Sequence, residues 1–496
     1  MALAKKMRTF KTTEKVSDAQ LLLFLEKAAE DHPAVPPEPP NKDEPPRPPT
    51  LNEELKKLVD EERKRRSTEK TKPPPRRPRK KPFPDALKRV DNIIPVPHEQ
   101  RPCPKCGAER RCLGHEVSEV LELEPAKVFV RRDRRETLTC DTCETPQITR
   151  APRGDRVVEG GRFGLRIVAQ MLVDKFRDGL PLQRQRERYR RLGVDLSVST
   201  LADQIGWGAE LLKPLWRALQ REALRADILH LDATGLPFFD QVTKGGKKRK
   251  KIGALWGYVG DDATALYLFA PSGHATFEDR NIIGPADFLG LRTGLTVADA
   301  ASVFDKAFER DDIIECGCNI HARRYFGRAL DNGDARAAIA IAAYKALYKI
   351  EDEARDLTPS ERLIIRQQRS APIFMKMVEW AESIKDAEPP ASKLGRALTY
   401  LTNQQEPLGR FLKDGRIPPD NNVVERLHVR AALTRKNFLW AGSHRGAISA
   451  SIAFSIIGTC ILCDIEPLEY LSTVMPILVR GVIEKDVGRL LPQYLT

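Results

Sequence analysis

Two C-x-x-C pairs, separated by 33 residues, place the tightest constraint on how this chain can fold. The four residues are Cys103 and Cys106, then Cys140 and Cys143. Each pair can direct two thiolates at one ion, so together they predict a tetrahedral, structural Zn²⁺ site without an open position for chemistry. Apolar and polar residues alternate in 117–122 and 128–139, which predicts strands that carry the two C-x-x-C pairs, as in a zinc ribbon. The alternative, two redox-active pairs, lacks a thioredoxin-like setting.

The chain as a whole has the cysteine usage of a protein from a reducing compartment. It contains nine cysteines, and its first residues lack the apolar core of a signal peptide. Such a setting favours metal binding over disulfides. The apolar span 447–463 is shorter than the ~20 residues that a membrane helix needs, so we expect a buried core helix and no membrane partner. A cytoplasmic, nucleoid-associated location is expected, and secreted classes are excluded.

A cluster of positive charge lies near the N-terminus. The formal net charge is +14, and residues 63–89 alone hold 13 basic and two acidic side chains. The proline-rich stretch 73–84 contains Arg76, Arg77, Arg79, Lys80 and Lys81. Because proline keeps such a stretch extended and the charge is nearly uncompensated, it predicts a basic arm that contacts DNA phosphates. The alternative is a solvated linker.

Changes in composition predict a multidomain α/β protein. The predicted segments are a helical and proline-rich basic arm (1–84), a zinc ribbon (85–150), a helical, helix-turn-helix-like region (151–226), an α/β core (227–333), a helical insertion (334–415), the second part of the core (416–463) and a helical tail (464–496). In the third segment, Gly193 is expected to end one helix, and Ser199 or Thr200 to cap the next. An ordinary helical hairpin would give the same pattern there.

The α/β core is predicted from short apolar runs that alternate with turns and helices. The predicted strands are Ile228–Asp232, Ile252–Val259, Thr264–Ala270, Leu295–Ala298 and Ile313–Cys316. A helix over 277–289 is expected before the fourth strand, and another over 421–437 after the insertion. The sequence therefore predicts an α/β core that is split by a helical insertion.

Three acidic residues fall where this core could bring them together. Asp232 is expected to end the first strand, Asp299 to follow the fourth, and Glu425 to lie on the 421–437 helix. Carboxylate oxygens suit Mg²⁺, and two such ions can activate an attacking hydroxyl and stabilise a leaving one. Acidic residues at strand ends are common, so the trio alone does not decide the function.

Further polar residues accompany the acidic trio. Arg323 and Arg324 are candidate phosphate contacts, with solvated surface as the alternative, and Lys436 could meet a phosphate from the Glu425 helix. Cys316, Cys318 and His321 offer three donors in six residues. Without a fourth donor nearby, packing or positioning is the favoured interpretation of that cluster.

With these residues identified, the chain resembles the transposases of insertion sequence family number 66, in the DDE, ribonuclease H-like superfamily. The resemblance runs in order from about residue 85. It rests on the segments CPKCG, CDTC, VDKFRDGLPLQRQ, LSVSTLAD, HLDAT, GCNIHARRYF, DNNVVERLHVRAALTRKNFLWAGS and CDIEPLEYLSTV. The chain departs from the family pattern at Ala233, where glutamate is usual, at 272–274, where an arginine is common, and at 300–302, where aromatic residues often follow the second aspartate.

The resemblance implies a specific site and activity. Asp232, Asp299 and Glu425 correspond to the catalytic residues, and Cys318 and His321 to a C-x-x-H motif of related transposases. The implied core is a ribonuclease H-like mixed sheet with a helical insertion before the glutamate. The implied reaction is Mg²⁺-dependent cleavage at the element ends and 3′-hydroxyl strand transfer, with Mn²⁺ as a substitute ion.

The resemblance also implies partners. They are double-stranded DNA at the element ends and target, further copies of the chain on that DNA, and small accessory proteins of the same element. Arg435 and Lys436 are expected to join the DNA contacts. Two other functions stay open: a catalytically decayed zinc-ribbon DNA-binding protein, and a nuclease that cuts without joining.

Overall fold

A computed structural model of the chain describes residues 128–133, 137–139, 148–150, 154–242, 248–271, 285–301, 304–438 and 440–495. Contacts divide the chain into two compact units, and every described residue from Asp133 onward belongs to the larger. Of the smaller unit only residues 128–132 are described, and they have no regular secondary structure. The four predicted zinc ligands and the basic residues 76–81 lie outside the described residues.

Among the residues that the structure describes, two short strands and four helices precede the main sheet. The strands are β1 (Thr137–Thr139) and β2 (Ile148–Arg150), and they pair antiparallel. The helices are α1 (Leu165–Phe176), α2 (Leu182–Arg191), α3 (Val198–Leu211) and α4 (Lys213–Arg225). The strand predicted over 128–139 was wrong for 128–133, which are irregular, with 129–133 exposed.

The break between α2 and α3 was predicted correctly, but the residue that caps α3 was not. Gly193 has a φ of +86°, a conformation that glycine adopts without strain. Ser197 is the capping residue: its hydroxyl accepts a hydrogen bond from the Thr200 backbone N–H at 3.0 Å. Ser199 and Thr200 already lie inside the first helical turn, from which a side chain cannot satisfy the free N–H groups of that turn.

The core is one mixed sheet of five strands. They are β3 (Ile228–Val242), β4 (Lys248–Gly260), β5 (Thr264–Ala270), β6 (Gly294–Ala298) and β7 (Ile313–Gly317), in the order β5-β4-β3-β6-β7. The first three pair antiparallel, whereas β3, β6 and β7 run parallel. Two short helices, α5 (Pro285–Gly290) and α6 (Asp305–Phe308), flank β6.

The predicted strand Ile228–Asp232 ended ten residues too early. From Ala233 onward β3 exposes alternate residues, so it lacks a continuous apolar run. It nevertheless stays extended because it pairs with β4 residue by residue, from Leu229 opposite Gly260 to Phe239 opposite Lys250. The backbone ladder, more than the side-chain pattern, extends this strand.

A run of helices follows the sheet. Helix α7 (Asn319–Asp331) begins directly after β7, and the residues 334–415 that were predicted to be helical contain α8 (Ala337–Glu353), α9 (Pro359–Ile365), α10 (Ala371–Lys385), α11 (Lys393–Asn403) and α12 (Gln405–Gly409). Arg366 is 1% exposed, pairs with Glu351 at 2.7 Å and donates to the carbonyls of Phe411 and Ile417 at 2.9 Å. These bonds fasten the insertion to the segment that leads back to the sheet.

Three long helices follow in the described chain, and two short 3-10 helices, Glu484–Leu490 and Pro492–Tyr494, come after them. The long helices are α13 (Asn422–Phe438), α14 (His444–Leu462) and α15 (Pro467–Arg480). Helix α14 covers the sheet edge at β5: Ser455 and Thr459 hydroxyls accept hydrogen bonds from the Tyr267 and Ala265 N–H groups at 2.7 and 3.1 Å. By length and composition α14 could cross a membrane, but 72% of its apolar window is buried inside the protein. The predicted core helix is confirmed.

Candidate functional site

Asp232 lies inside β3, not at its end as predicted. It does lie at the point where the parallel part of the sheet stops, because β3 pairs with β6 only as far as His230 opposite Val297. Asp299 follows the last residue of β6. If the register between β3 and β6 is continued by two residues, Asp232 lies level with Asp299. The two aspartates therefore share the carboxyl edge of the parallel strands.

Helix α13 carries Glu425 onto the same part of the sheet. Its N-terminus is fastened to β3 by the fully buried Asn421, whose side-chain amide donates to the Leu231 carbonyl at 2.7 Å. The Asn421 Oδ1 lies 2.9 Å from the ring Nδ1 of His230. Asp420 accepts from the Asn422 N–H at 2.9 Å and so satisfies the first free N–H group of the helix. These bonds fix the first turn of α13, which contains Glu425, beside Asp232.

The three carboxylates influence each other electrostatically. Burial, aided by the charges of Asp299 and Glu425 and opposed by a hydrogen bond from the Ala233 N–H, raises the pKa of Asp232 to about 6. Burial also raises the pKa of Asp299, against the attraction of His321. Like charges held this close favour a bound cation, because a cation offsets their mutual repulsion.

Cys318 and His321 lie beside Glu425. Their donor atoms and a Glu425 oxygen all lie within 4.8 Å of one another. Among the described residues, neither the buried His321 Nδ1 nor the buried Glu425 Oε1 has a hydrogen-bond partner. The Cys318 Sγ accepts from the Asn421 N–H at 3.3 Å, and burial raises the pKa of this thiol to about 12. The carboxylate oxygens thus fit a hard divalent ion, whereas Cys318 is protonated near neutral pH.

Arg324 on α7 closes one side of this cluster. Its guanidinium lies 2.6 Å from Glu425 Oε2 and 3.4 Å from the His321 Nε2. Arg323, the preceding residue, is partly exposed. On α13, Arg435 donates to the Thr234 hydroxyl at 3.0 Å and to the Gly235 carbonyl, and Lys436 is exposed. A role for these four residues in contacting DNA stays a prediction.

The sequence analysis missed His428, which packs directly against Asp232. Its Nε2 lies 3.8 Å from Asp232 Oδ2, and its Nδ1 lies 3.2 Å from the Tyr267 hydroxyl. Burial lowers the pKa of His428 to about 4, so the ring is neutral at pH 7. Gly257 makes room for it, since a Cβ there would lie 2.6 Å from His428 Cε1. The signal in the sequence was the spacing of three residues after Glu425, which puts both on one helix face.

Two family models match parts of this chain. Residues 160–449 match the family model of the Transposase IS66 family, and residues 100–144 match the zinc-finger binding domain of transposase IS66. The second match contains all four predicted zinc ligands and supports a structural Zn²⁺. The first match implies a DNA-processing enzyme, and both imply DNA binding.

Relatives from Sinorhizobium fredii (strain NBRC 101917 / NGR234) extend the similarity over most of the chain. The uncharacterized protein y4hP is 32% identical over 418 residues, which cover 80% of this chain and 74% of that protein. The uncharacterized protein y4qI is 30% identical over 425 residues, covering 84% and 77%. The predicted family is therefore confirmed, and the chain belongs to the IS66 family of transposases.

Proposed function

We propose that this protein is a DDE transposase that cuts DNA at the ends of its insertion sequence and joins the freed 3′-hydroxyls to target DNA. The observation that carries the proposal is that Asp232 and Asp299 lie at one level, two residues past the last parallel pair of β3 and β6, with the helix of Glu425 fastened to β3 by Asn421. Three carboxylates from separate elements, each partly buried, form an oxygen donor set of the kind that Mg²⁺ prefers.

We assign Mg²⁺, with Mn²⁺ as a substitute, to Asp232, Asp299 and Glu425. The bound metal would activate the attacking hydroxyl and offset charge on the leaving oxygen. The protein's own part is positioning, which is the main requirement of in-line displacement at phosphorus. A pKa of about 6 leaves Asp232 ionised above neutral pH. His428 limits its movement from one side, and Arg324 adds a positive charge within reach of a phosphate.

The arrangement of the sheet supports a ribonuclease H-like core. Three antiparallel strands are extended by two parallel ones, and the helical insertion stands between the second aspartate and the helix of the glutamate. We propose the domain division predicted from composition, with Cys103, Cys106, Cys140 and Cys143 as the zinc ligands of a ribbon that binds DNA. Further copies of the chain and small proteins of the same element complete the proposed assembly on DNA.

One reaction tests this function. The purified protein is incubated with labelled element ends, a plasmid target and Mg²⁺, and the products are separated by size. Joined products are expected. Cleaved ends without joining would support a nuclease instead. Tight binding without cleavage, with either Mg²⁺ or Mn²⁺, would support a decayed DNA-binding protein.

A further inference from the structure

The β3–β4 hairpin extends well beyond the rest of the sheet. Strand β5 pairs with β4 only as far as Ala254, and β6 pairs with β3 only as far as His230. Past these points, residues 236–242 and 248–253 continue the ladder as two strands, which we call the hairpin arm, and its buried Phe238 packs against Phe269 of β5. The arm is continuous with the strand that carries Asp232, so its position relative to the carboxylates is fixed by backbone pairing.

A segment that follows α13 reinforces the hairpin arm. Ala441 pairs with Phe238 in an isolated parallel bridge, in which the Phe239 N–H donates to the Ala441 carbonyl at 3.1 Å and the Ala441 N–H donates to the Pro237 carbonyl at 2.9 Å. This bridge brings Trp440 against Phe239, with ring centroids 5.6 Å apart. The arm is therefore held in place by the segment that follows the helix carrying Glu425.

The surface of the hairpin arm is basic and aromatic. Arg249, Lys250 and Lys251 are all exposed, and Trp440 is 38% exposed. Asp240 forms an ion pair with Lys251, whereas the ammonium of Lys250 lies 5.6 Å from the centre of the Trp440 ring. Arginine and lysine beside an exposed indole are the combination that binds the phosphates and bases of nucleic acid.

Strand geometry gives the distance from the arm to the carboxylates. Asp232 pairs with Gly257 and Phe238 with Lys251, so six residues separate the two levels on each strand. At a rise of about 3.3 Å per residue this is about 20 Å. Duplex DNA advances about 3.4 Å per base pair, so the distance corresponds to about six base pairs.

We propose that the hairpin arm, with Trp440, is a DNA-binding site that holds the duplex about six base pairs from the phosphate at Asp232. Binding of DNA by the arm does not depend on the proposed reaction, whereas the six-base-pair position rests on the proposed function. Arg249 and Lys250 contact the backbone, and Trp440 contacts a base.

The first test is charge reversal in the full-length chain. Arg249→Glu with Lys250→Glu leaves the Lys251–Asp240 pair intact. We expect its Kd for duplex DNA to rise by about tenfold or more at 0.1 M salt. The slope of log Kd against log salt concentration should fall by about two, because about two fewer counterions are released on binding. The matched control reverses two exposed charges on α11 with Lys393→Glu and Arg396→Glu, and should bind as the wild type does. If the arm variant and the control bind DNA equally well, the proposal is overturned.

The second test locates the arm on the DNA without requiring cleavage. Duplexes that end at the element end carry 5-iodouracil at one position each, from two to twelve base pairs inside, and are irradiated with the protein. Crosslinking should be strongest near six base pairs, disappear in Trp440→Ala and persist in Trp440→Phe. If the charge-reversal variant binds DNA more weakly but the wild type crosslinks evenly along the duplex, the arm remains a DNA-binding site and the assigned position is overturned. That result would count against the proposed catalytic centre and not against DNA binding.

Discussion

Asp232, Asp299 and Glu425 should act as one unit, because the charges of Asp299 and Glu425 both raise the pKa of Asp232. Asp232→Asn, Asp299→Asn and Glu425→Gln each remove one negative oxygen with little change in volume. We expect cleavage and joining to fall by about 100-fold or more in each, without multiplying in combination, while the affinity for element ends stays within about threefold. Mn²⁺ should restore part of the activity. A gel-based strand-transfer assay and an anisotropy titration measure the two quantities.

The matched control for these variants is Asp305→Asn, which changes an exposed aspartate on α6. It should cut and join as the wild type does. Normal joining by Asp299→Asn would mean that the second aspartate was chosen wrongly, and Asp305 and Asp287 would then be the next candidates.

The pKa of Asp232 predicts how stability depends on pH. Its ordinary value is 3.8, and burial raises it to about 6. Between pH 4 and 6 the unfolded chain ionises first, so the wild type loses stability as the pH rises, and the loss is complete above pH 6. Asp232→Asn does not titrate and should exceed the wild type by about 1–3 kcal/mol at pH 8, with the difference disappearing near pH 4.

Urea unfolding at pH 4, 6 and 8 without added Mg²⁺ checks this difference. Adding Mg²⁺ at pH 8 should stabilise the wild type more than the variant, because the ion binds only the folded carboxylates. A wild type that equals or exceeds the variant at pH 8 without Mg²⁺ would contradict the raised pKa.

At the scale of elements, the packing of α13 on the β3–β4 hairpin depends on one glycine. A Cβ at Gly257 would approach His428 Cε1 to 2.6 Å and Tyr267 Cε1 to 3.1 Å. Gly257→Ala should therefore push α13 from the sheet, destabilise the core by about 1–3 kcal/mol and reduce cleavage. Urea midpoints and the cleavage assay give the two readouts.

Gly235 on the neighbouring strand provides the comparison. A Cβ there would meet Ile252 Cγ2 at 3.5 Å, an ordinary contact. Gly235→Ala should leave the urea midpoint unchanged or slightly higher, because it restricts the unfolded chain. Equal stability of the two variants would mean that α13 has room to shift without cost.

How well each element could be predicted depended on whether its own residues determine it. Strand β5 was predicted with its observed bounds, because seven buried residues follow a turn at Asp261 and Asp262, both with positive φ. The outer half of β3 was missed, since its partner strand and not its own pattern keeps it extended. The same distinction applies to the residues of the site. Asp232, Asp299 and Glu425 could be chosen from residue type and from the resemblance. Helix spacing places His428 on the face of Glu425, but the contacts of Asn421 with Leu231 and of His428 with Asp232 depend on tertiary packing.

At the scale of the whole molecule, the zinc-binding segment and the core should unfold separately. Cys140→Ser removes one of four proposed thiolates, so it should release about one Zn²⁺ per chain and increase proteolysis within 100–144 while the core keeps its urea midpoint. Metal analysis after dialysis gives the zinc content. Cys463→Ser, a change at a cysteine on the C-terminal side of α14, is the control and should retain the zinc. Unchanged zinc content in Cys140→Ser would exclude the four-thiolate site.

The hydrogen bonds between α14 and β5 have a consequence for how the protein is made. Thr459 and Ala265 are 194 residues apart, so on the ribosome β5 is synthesised long before the helix that covers it. At about 5–20 residues per second, that edge of the sheet waits on the order of ten to forty seconds for its partner. Glu425 also emerges after the whole insertion. Nascent chains, and copies whose translation stops within the insertion, would thus carry the N-terminal DNA-binding segments without the third carboxylate. On the proposed assignment, such shortened products would occupy element ends without cutting them and so limit the transposition of their own element.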